Sequence, residues 1–281
     1  MKLKNIVSVV TGGSRGIGRA IAIAQANAGA RVAVISRSAG SLDETVHEIT
    51  KGGGEAIAVA ADLTNQKDVD TAFDRIADEL GAPDLVVNNA GSFLAIGPIW
   101  ESEVDQWWRD IEINIKSTFL CSRRVLPGMI KRGSGRIINL IGGGTAGPLP
   151  PGSAYATSKS GIMRFTECVA GTLSDTGVFV FAMAPGLVKT DMTEHQLNSE
   201  AGKKYMPLIA KRFADGDYLP PEKAAELAVE IATGRFDRLN GRALSAWDDL
   251  DVVKARMDEW VEEDKRVLRL PGFGPTLKPD Y

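Results

Sequence analysis

Short runs of apolar residues alternate along the chain with longer stretches in which apolar positions recur every three or four residues. The runs at 6–10, 32–35, 56–60, 85–87, 136–141 and 178–182 have the length and aliphatic content of strands. The stretches at 17–28, 42–49, 69–80, 114–132, 155–173 and 221–233 have the spacing of helices. Strands apolar on both faces belong inside a covered sheet, and the helices between them are the right-handed crossovers that cover it. The pattern predicts an α/β fold: a doubly wound parallel sheet with helices on both faces. Gly29 and Gly81 stand just past two of the helical stretches, where a left-handed residue closes a helix.

The alternation breaks twice. Residues 187–218 hold no strand-like run and are expected to form an insertion facing a substrate. Beyond 250, Leu250, Val253, Met257, Trp260 and Val261 recur at helical spacing until Pro271, Gly272, Gly274 and Pro275 end the pattern. The expected division is a single domain over 1–250 and a tail over 251–281. The tail should pack on the core or a neighbouring subunit, because Trp260 and Phe273 would otherwise face water.

Charge and composition remove several classes of function. With 281 residues, a net charge of −3 and scattered Lys and Arg, the chain has no basic field to favour nucleic acid. The first residues lead into a short strand with no longer apolar stretch behind it, so neither a secretory signal nor a membrane span is expected. Cys121 and Cys168 fall in apolar helical patterns and read as reduced thiols packed as small hydrophobes, which points to a cytoplasmic protein. His47 and His195 are far apart, and no metal site is expected.

Candidate chemistry begins directly after the first strand, with Thr11-Gly12-Gly13-Ser14-Arg15-Gly16-Ile17-Gly18 opening the first helix. Glycines there let the backbone approach a pyrophosphate closely, and the free amides and positive end of the helix attract it. After the second strand stand Ser36 and Arg37. A carboxylate at that place accepts a ribose 2′-hydroxyl and repels a 2′-phosphate, whereas Arg37, with Arg15, suits the phosphate. That predicts NADP(H) over NAD(H). Further on, Tyr155 and Lys159 are four apart and share one face of a helix. A free phenol has a pKa near 10, and a neighbouring ammonium favours its phenolate, which would make Tyr155 an acid–base group.

The glycine loop, Asn88-Asn89-Ala90-Gly91, Asn114, Tyr155-Ala156-Thr157-Ser158-Lys159, and Pro185-Gly186 followed by Thr190 occur in this order. In this the chain resembles the short-chain dehydrogenase/reductase family, over roughly residues 5–245. The resemblance implies a Rossmann-type fold and an NADP-dependent oxidoreductase that interconverts a ketone and a secondary alcohol. It implies that Asn114, Tyr155 and Lys159 are catalytic, with Asn114 helping to hold a water chain to the lysine. It further implies that Asp62 and Leu63 flank the adenine, that Asn88, Asn89, Ala90 and Gly91 line the cofactor cleft, and that Pro185, Gly186 and Val188 border the cofactor. Thr190 would meet the carboxamide end, and Tyr155 and Lys159 would themselves touch the cofactor. A homodimer or homotetramer paired through the helices beginning near Asn114 and Tyr155 is expected on the same ground.

One departure bears on the chemistry. The family's catalytic serine falls thirteen positions before the tyrosine, and that place is Gly142, in Ile141-Gly142-Gly143-Gly144-Thr145. Thr145 and Ser153 are the nearby hydroxyls, and sequence does not decide between them. A second departure is Ala243-Leu244-Ser245-Ala246-Trp247-Asp248-Asp249, where the family often has Val-Asp-Gly-Gly. The missing serine leaves open a nucleotide-binding protein with little catalysis, and fold alone leaves open an epimerase or dehydratase. Leu94, Ile96, Ile141, Leu149, Leu187, Met192 and Phe213 lie in segments the resemblance places around the substrate, which suits a small, largely apolar ketone or alcohol.

Overall fold

A computed structural model describes residues 2–270; Phe273 and the Pro/Gly cluster expected to end the tail lie outside the described residues. Every expected strand is present: β1 (Val7–Thr11), β2 (Arg31–Ser36), β3 (Glu55–Ala60), β4 (Leu85–Asn88), β5 (Gly135–Leu140) and β6 (Val178–Ala184). A further strand, β7 (Ala243–Ser245), completes a parallel sheet of order β3-β2-β1-β4-β5-β6-β7 among the described residues. The sheet is buried on both faces, as its largely apolar strands require. In β1, Val10 faces a core shared with Ile21, Leu227 and Ile231, while Val9 faces the opposite one, with Phe73, Val125 and Met129.

The crossovers are α1 (Gly16–Asn27), α2 (Ala39–Lys51), α3 (Gln66–Glu79), α4 (Val104–Ile111), α5 (Ser117–Arg132) and α6 (Ser153–Thr172). Gly29 and Gly81 adopt φ of +102° and +99°, and their amides bond Ala26 O and Ala77 O, closing α1 and α3 as the sequence predicts.

Three features differ from expectation. The helix expected from 114 starts ten residues earlier, as α4, and passes into α5 through a π-helical turn, Glu112–Lys116. Its first turns escape the apolar period because they bury Asp110 and expose Trp108. The insertion at 187–218, for which no element was expected, holds three short helices, α7 (Asp191–Asn198), α8 (Glu200–Tyr205) and α9 (Pro207–Ala214), the first two started by the hydroxyls of Thr190 and Ser199. Cys121 is buried, but Cys168 is exposed, because it falls on the outward face of α6.

After α10 (Pro221–Ala232) and β7, the helices α11 (Leu250–Ala255) and α12 (Met257–Glu262) lay Val253 and Trp260 into the core beside α10. The chain then returns along the outer edge of β7. Ala243 N donates to Arg266 O at 2.9 Å and Ser245 N to Asp248 Oδ2 at 2.9 Å, while Leu268 packs beside Ile141 and Met163. The Arg266 guanidinium covers the Trp260 ring at 4.7 Å and bonds Asp248 at 2.7 Å.

Candidate active site

The strand order reverses between β1 and β4, and there, beyond the carboxyl ends of the strands, a cleft of about 580 Å³ opens. One end is built by the glycine loop. Gly12 and Gly16 take φ of +63° and +54°, a region that side chains rarely adopt. A Cβ on Gly12 would stand 2.8 Å from Asn89 Nδ2, and one on Gly18 would meet Gly12 O well inside 3.0 Å. Arg15, the residue before α1, caps nothing with its side chain, and no acidic residue occupies the first turn of α1. The positive end of this helix is therefore left for an anion. A small-residue cradle, open amides and arginines fit the diphosphate of a dinucleotide.

Ser14, Arg15, Ile17, Ser36, Arg37, Asp62 and Leu63 all border this end. Arg37 is exposed and forms no ion pair among the described residues, whereas Arg15 pairs with Asp191 at the start of α7. Asp62 accepts from the Thr64 hydroxyl at 2.7 Å and amide at 2.9 Å, which together hold its carboxyl below the usual range. The β4 loop is tied to the glycine loop: Thr11 Oγ1 accepts from the amides of Asn89 and Ala90, and Asn89 Nδ2 donates to Thr11 O at 2.8 Å. Asn89, Ala90 and Gly91 thereby line the cleft. Asn88 does not; it turns into the sheet, where Nδ2 donates to Asn139 Oδ1 at 2.8 Å.

At the other end α6 presents Tyr155 and Lys159 to the cleft. Lys159 is 4 % exposed, donates to Leu140 O at 2.9 Å, and places Nζ 5.5 Å from the centre of the Tyr155 ring. Asn114, in the π-helical turn, is fully buried and lies behind the cleft rather than on it. Its Oδ1 accepts from Ser92 N at 2.8 Å and its Nδ2 donates to Ser158 Oγ at 2.8 Å. Burial drives the Lys159 pKa down to about 8 and, with help from the Asp110 carboxylate, drives the Tyr155 phenol up to about 12. The direction for Tyr155 is opposite to that expected from the lysine alone, because loss of solvent outweighs the ammonium.

Pro185, Thr190, Leu94, Ile141 and Met192 border the same cleft; Gly186, Val188, Ile96, Leu149, Leu187 and Phe213 do not. Val188 is buried, Gly186 packs under Leu219 and Trp247, and Phe213 turns to Tyr218. Neither of the nearby hydroxyls borders the cleft. Thr145 Oγ1 donates to Gly142 O at 2.7 Å, and Ser153 Oγ accepts from Trp107 Nε1 at 3.0 Å.

Sequence reasoning missed Phe93, Arg109, Asp110 and His195. Asp110 is fully buried and accepts from the Ser92 hydroxyl, from Leu94 N at 2.8 Å and from Ala95 N at 2.9 Å, so it fixes the loop that carries Phe93. Phe93 lies flat on Tyr155, with ring centres 4.4 Å apart and planes 9° apart. The available signal was a carboxylate four residues before Asn114, on the same helical face.

A parallel sheet opening at its switch point into a cleft with a glycine cradle at one end and a half-buried tyrosine beside a buried lysine at the other defines a dinucleotide-dependent enzyme. The family model described as short chain dehydrogenase matches residues 6–201, and the chain belongs to the short-chain dehydrogenase/reductase family, whose enzymes act on CH–OH groups with nicotinamide cofactors. It is 35 % identical over 259 residues to a short chain dehydrogenase of Pseudocercospora fijiensis, covering 90 % of this chain and 83 % of that one. It is 41 % identical over 230 residues to the 3-oxoacyl-[acyl-carrier-protein] reductase of Synechocystis, covering 81 % and 89 %. A metagenomic short-chain oxidoreductase crystallised with NADP superposes with a TM-score of 0.69 at 30 % identity, covering 83 % of this chain and 93 % of that one.

Proposed function

We propose that the protein is an NADP-dependent carbonyl reductase, reversible as an alcohol dehydrogenase, acting on a small, largely apolar ketone or secondary alcohol. The observation that carries the reading is one continuous cleft with Arg37 at its nucleotide end and Tyr155 and Lys159 at its chemical end. A bound nicotinamide cofactor supplies or accepts the hydride. Tyr155 donates the proton to the carbonyl oxygen in reduction and takes it back in oxidation. Lys159 holds a positive charge beside the phenol, and Asn114 fixes the Ser92 backbone on one side and Ser158 on the other. Phe93, Leu94, Ile141 and Met192 give the chemical end its apolar lining. Consumption of NADPH with a panel of cyclic and open-chain ketones tests the reading; cofactor binding without turnover of any of them would overturn it.

The phosphate preference rests on Ser36 and Arg37, with Arg15 exchanging Asp191 for the phosphate. Arg37→Ala should weaken NADPH binding about ten- to a hundredfold, the scale of a charged hydrogen bond, and leave NADH nearly unchanged. Equal losses for the two cofactors in a fluorescence titration would refute the assignment.

The shifted pKa values set a pH dependence. A phenol held near 12 stays protonated throughout the working range, so Tyr155 is always ready to donate, while Lys159 loses its charge above about 8. Loss of that charge makes the phenol a weaker acid. Ketone reduction should therefore be flat from about pH 6 to 7 and fall through about pH 8, and a reduction rate still rising at about pH 9 would contradict the assignment.

Two copies are proposed to pair through α5 and α6, where Phe119 is 45 % exposed and meets Phe165 edge-on. A cytoplasmic location is proposed on the two free thiols. No helix among the described residues is long and apolar enough to cross a membrane.

A further inference from the structure

Gly142 leaves a space, and the structure shows what occupies it. A Cβ built on Gly142 would stand well inside 3.0 Å of Tyr155 Oη, 3.3 Å from Cζ and 3.4 Å from Cε1. No side chain fits at 142 unless the phenol moves. Phe93 lies flat on the face of the same ring and fixes its plane, while the Cβ at 142 would meet the hydroxyl at the ring's edge. Phe93 in turn fills a second glycine's space, since a Cβ on Gly152 would meet Phe93 Cζ well inside 3.0 Å. Asp110 holds the chain on both sides of Phe93 through the Ser92 hydroxyl and the amides of Leu94 and Ala95, so the ring is not free to retreat.

From this arrangement we propose that Phe93 is a positioning residue which seats the Tyr155 hydroxyl in the space left by Gly142, so that glycine is required at 142 and a serine there lowers activity. The inference rests on Tyr155 being the proton donor. Gly142, Gly152 and Phe93 then form one device: two missing side chains let an aromatic ring and a phenol stack where a serine would otherwise stand. Of Tyr155, Thr145 and Ser153, only Tyr155 borders the cleft: Thr145 donates to Gly142 O, and Ser153 accepts from Trp107 away from it.

The test compares Gly142→Ala, Gly142→Ser, Phe93→Ala and the double variant Phe93→Ala/Gly142→Ser, measuring kcat and KM for a ketone that the wild type turns over, with NADPH affinity by fluorescence. Both substitutions at 142 should lower kcat about a hundredfold, the cost of displacing a reacting group by about an ångström, with KM and NADPH affinity within about twofold. The serine variant should be no better than the alanine variant, because the Cβ and not the hydroxyl decides. Both residues act on the position of one hydroxyl, so their costs should not add, and Gly142→Ser should cost at least about tenfold less when Phe93 is Ala. Activity of Gly142→Ser at or above wild type, or an undiminished penalty in the Phe93→Ala background, would overturn the inference. If the variants at 142 do not fold, Phe93→Ala alone decides: kcat falls at least about tenfold with NADPH affinity kept, and an unchanged kcat overturns the proposal. Tyr155→Phe is measured beside them; turnover surviving there would sink the proton-donor reading itself, whatever the variants at 142 do.

Discussion

Tyr155→Phe should lower ketone turnover at least about a thousandfold while NADPH affinity stays within about twofold. The change removes one oxygen and keeps the ring, so the stack on Phe93 is preserved and no buried group loses a partner. What disappears is the proton that goes to the carbonyl oxygen. Neither Thr145 nor Ser153 borders the cleft, so neither hydroxyl takes its place. Steady-state NADPH consumption paired with a cofactor titration separates chemistry from binding. Turnover near wild type would remove Tyr155 from the mechanism.

Asp110→Ala should destabilise the fold by about 2 to 4 kcal/mol and lower kcat as well. The substitution strands the Ser92 hydroxyl and the amides of Leu94 and Ala95, each a buried or half-buried donor worth about 1 to 3 kcal/mol when left without an acceptor. Relief from holding a carboxylate out of water offsets part of that, which keeps the total below the sum. For a chain of this size the thermal midpoint should fall by about 5 to 15 °C. The loop carrying Phe93 loosens at the same time, so activity measured well below the new midpoint should fall too. A midpoint within a degree of wild type would show that the loop is held by other means.

Sequence carried most of the scaffold because burial on both faces leaves a plain mark. Strands such as β1 and β2 are apolar but for Ser8, Thr11, Arg31 and Ser36, and Gly29 and Gly81 stand where no other residue closes a helix as easily. β7 was harder: with three residues it is too short to show any period. α7, α8 and α9 were hidden for a different reason. They are held by end residues, Thr190, Ser199 and Pro207, rather than by a long apolar stripe. Within the site, spacing brought Tyr155 and Lys159 to one helical face, and Gly142 stood out at the place where the resemblance expects a serine. The stack of Phe93 on Tyr155 was not legible, because Phe93 is remote in sequence and is held by a buried carboxylate. Phe213 and Leu187 were misplaced because an apolar residue near a site in sequence serves a helix contact as readily as a pocket wall.

The return of the chain along β7 has a bearing on self-association. A last strand normally offers a row of unpaired amides on which a foreign strand can be templated, the first step of sheet extension and of fibrous aggregation. Here the two outward amides, of Ala243 and Ser245, are already spent on Arg266 and Asp248, and Arg266 is pinned over Trp260. The chain acts as its own cap. Growth of the sheet through these amides is blocked from within the subunit, so the segment after β7 protects an edge as well as completing the fold.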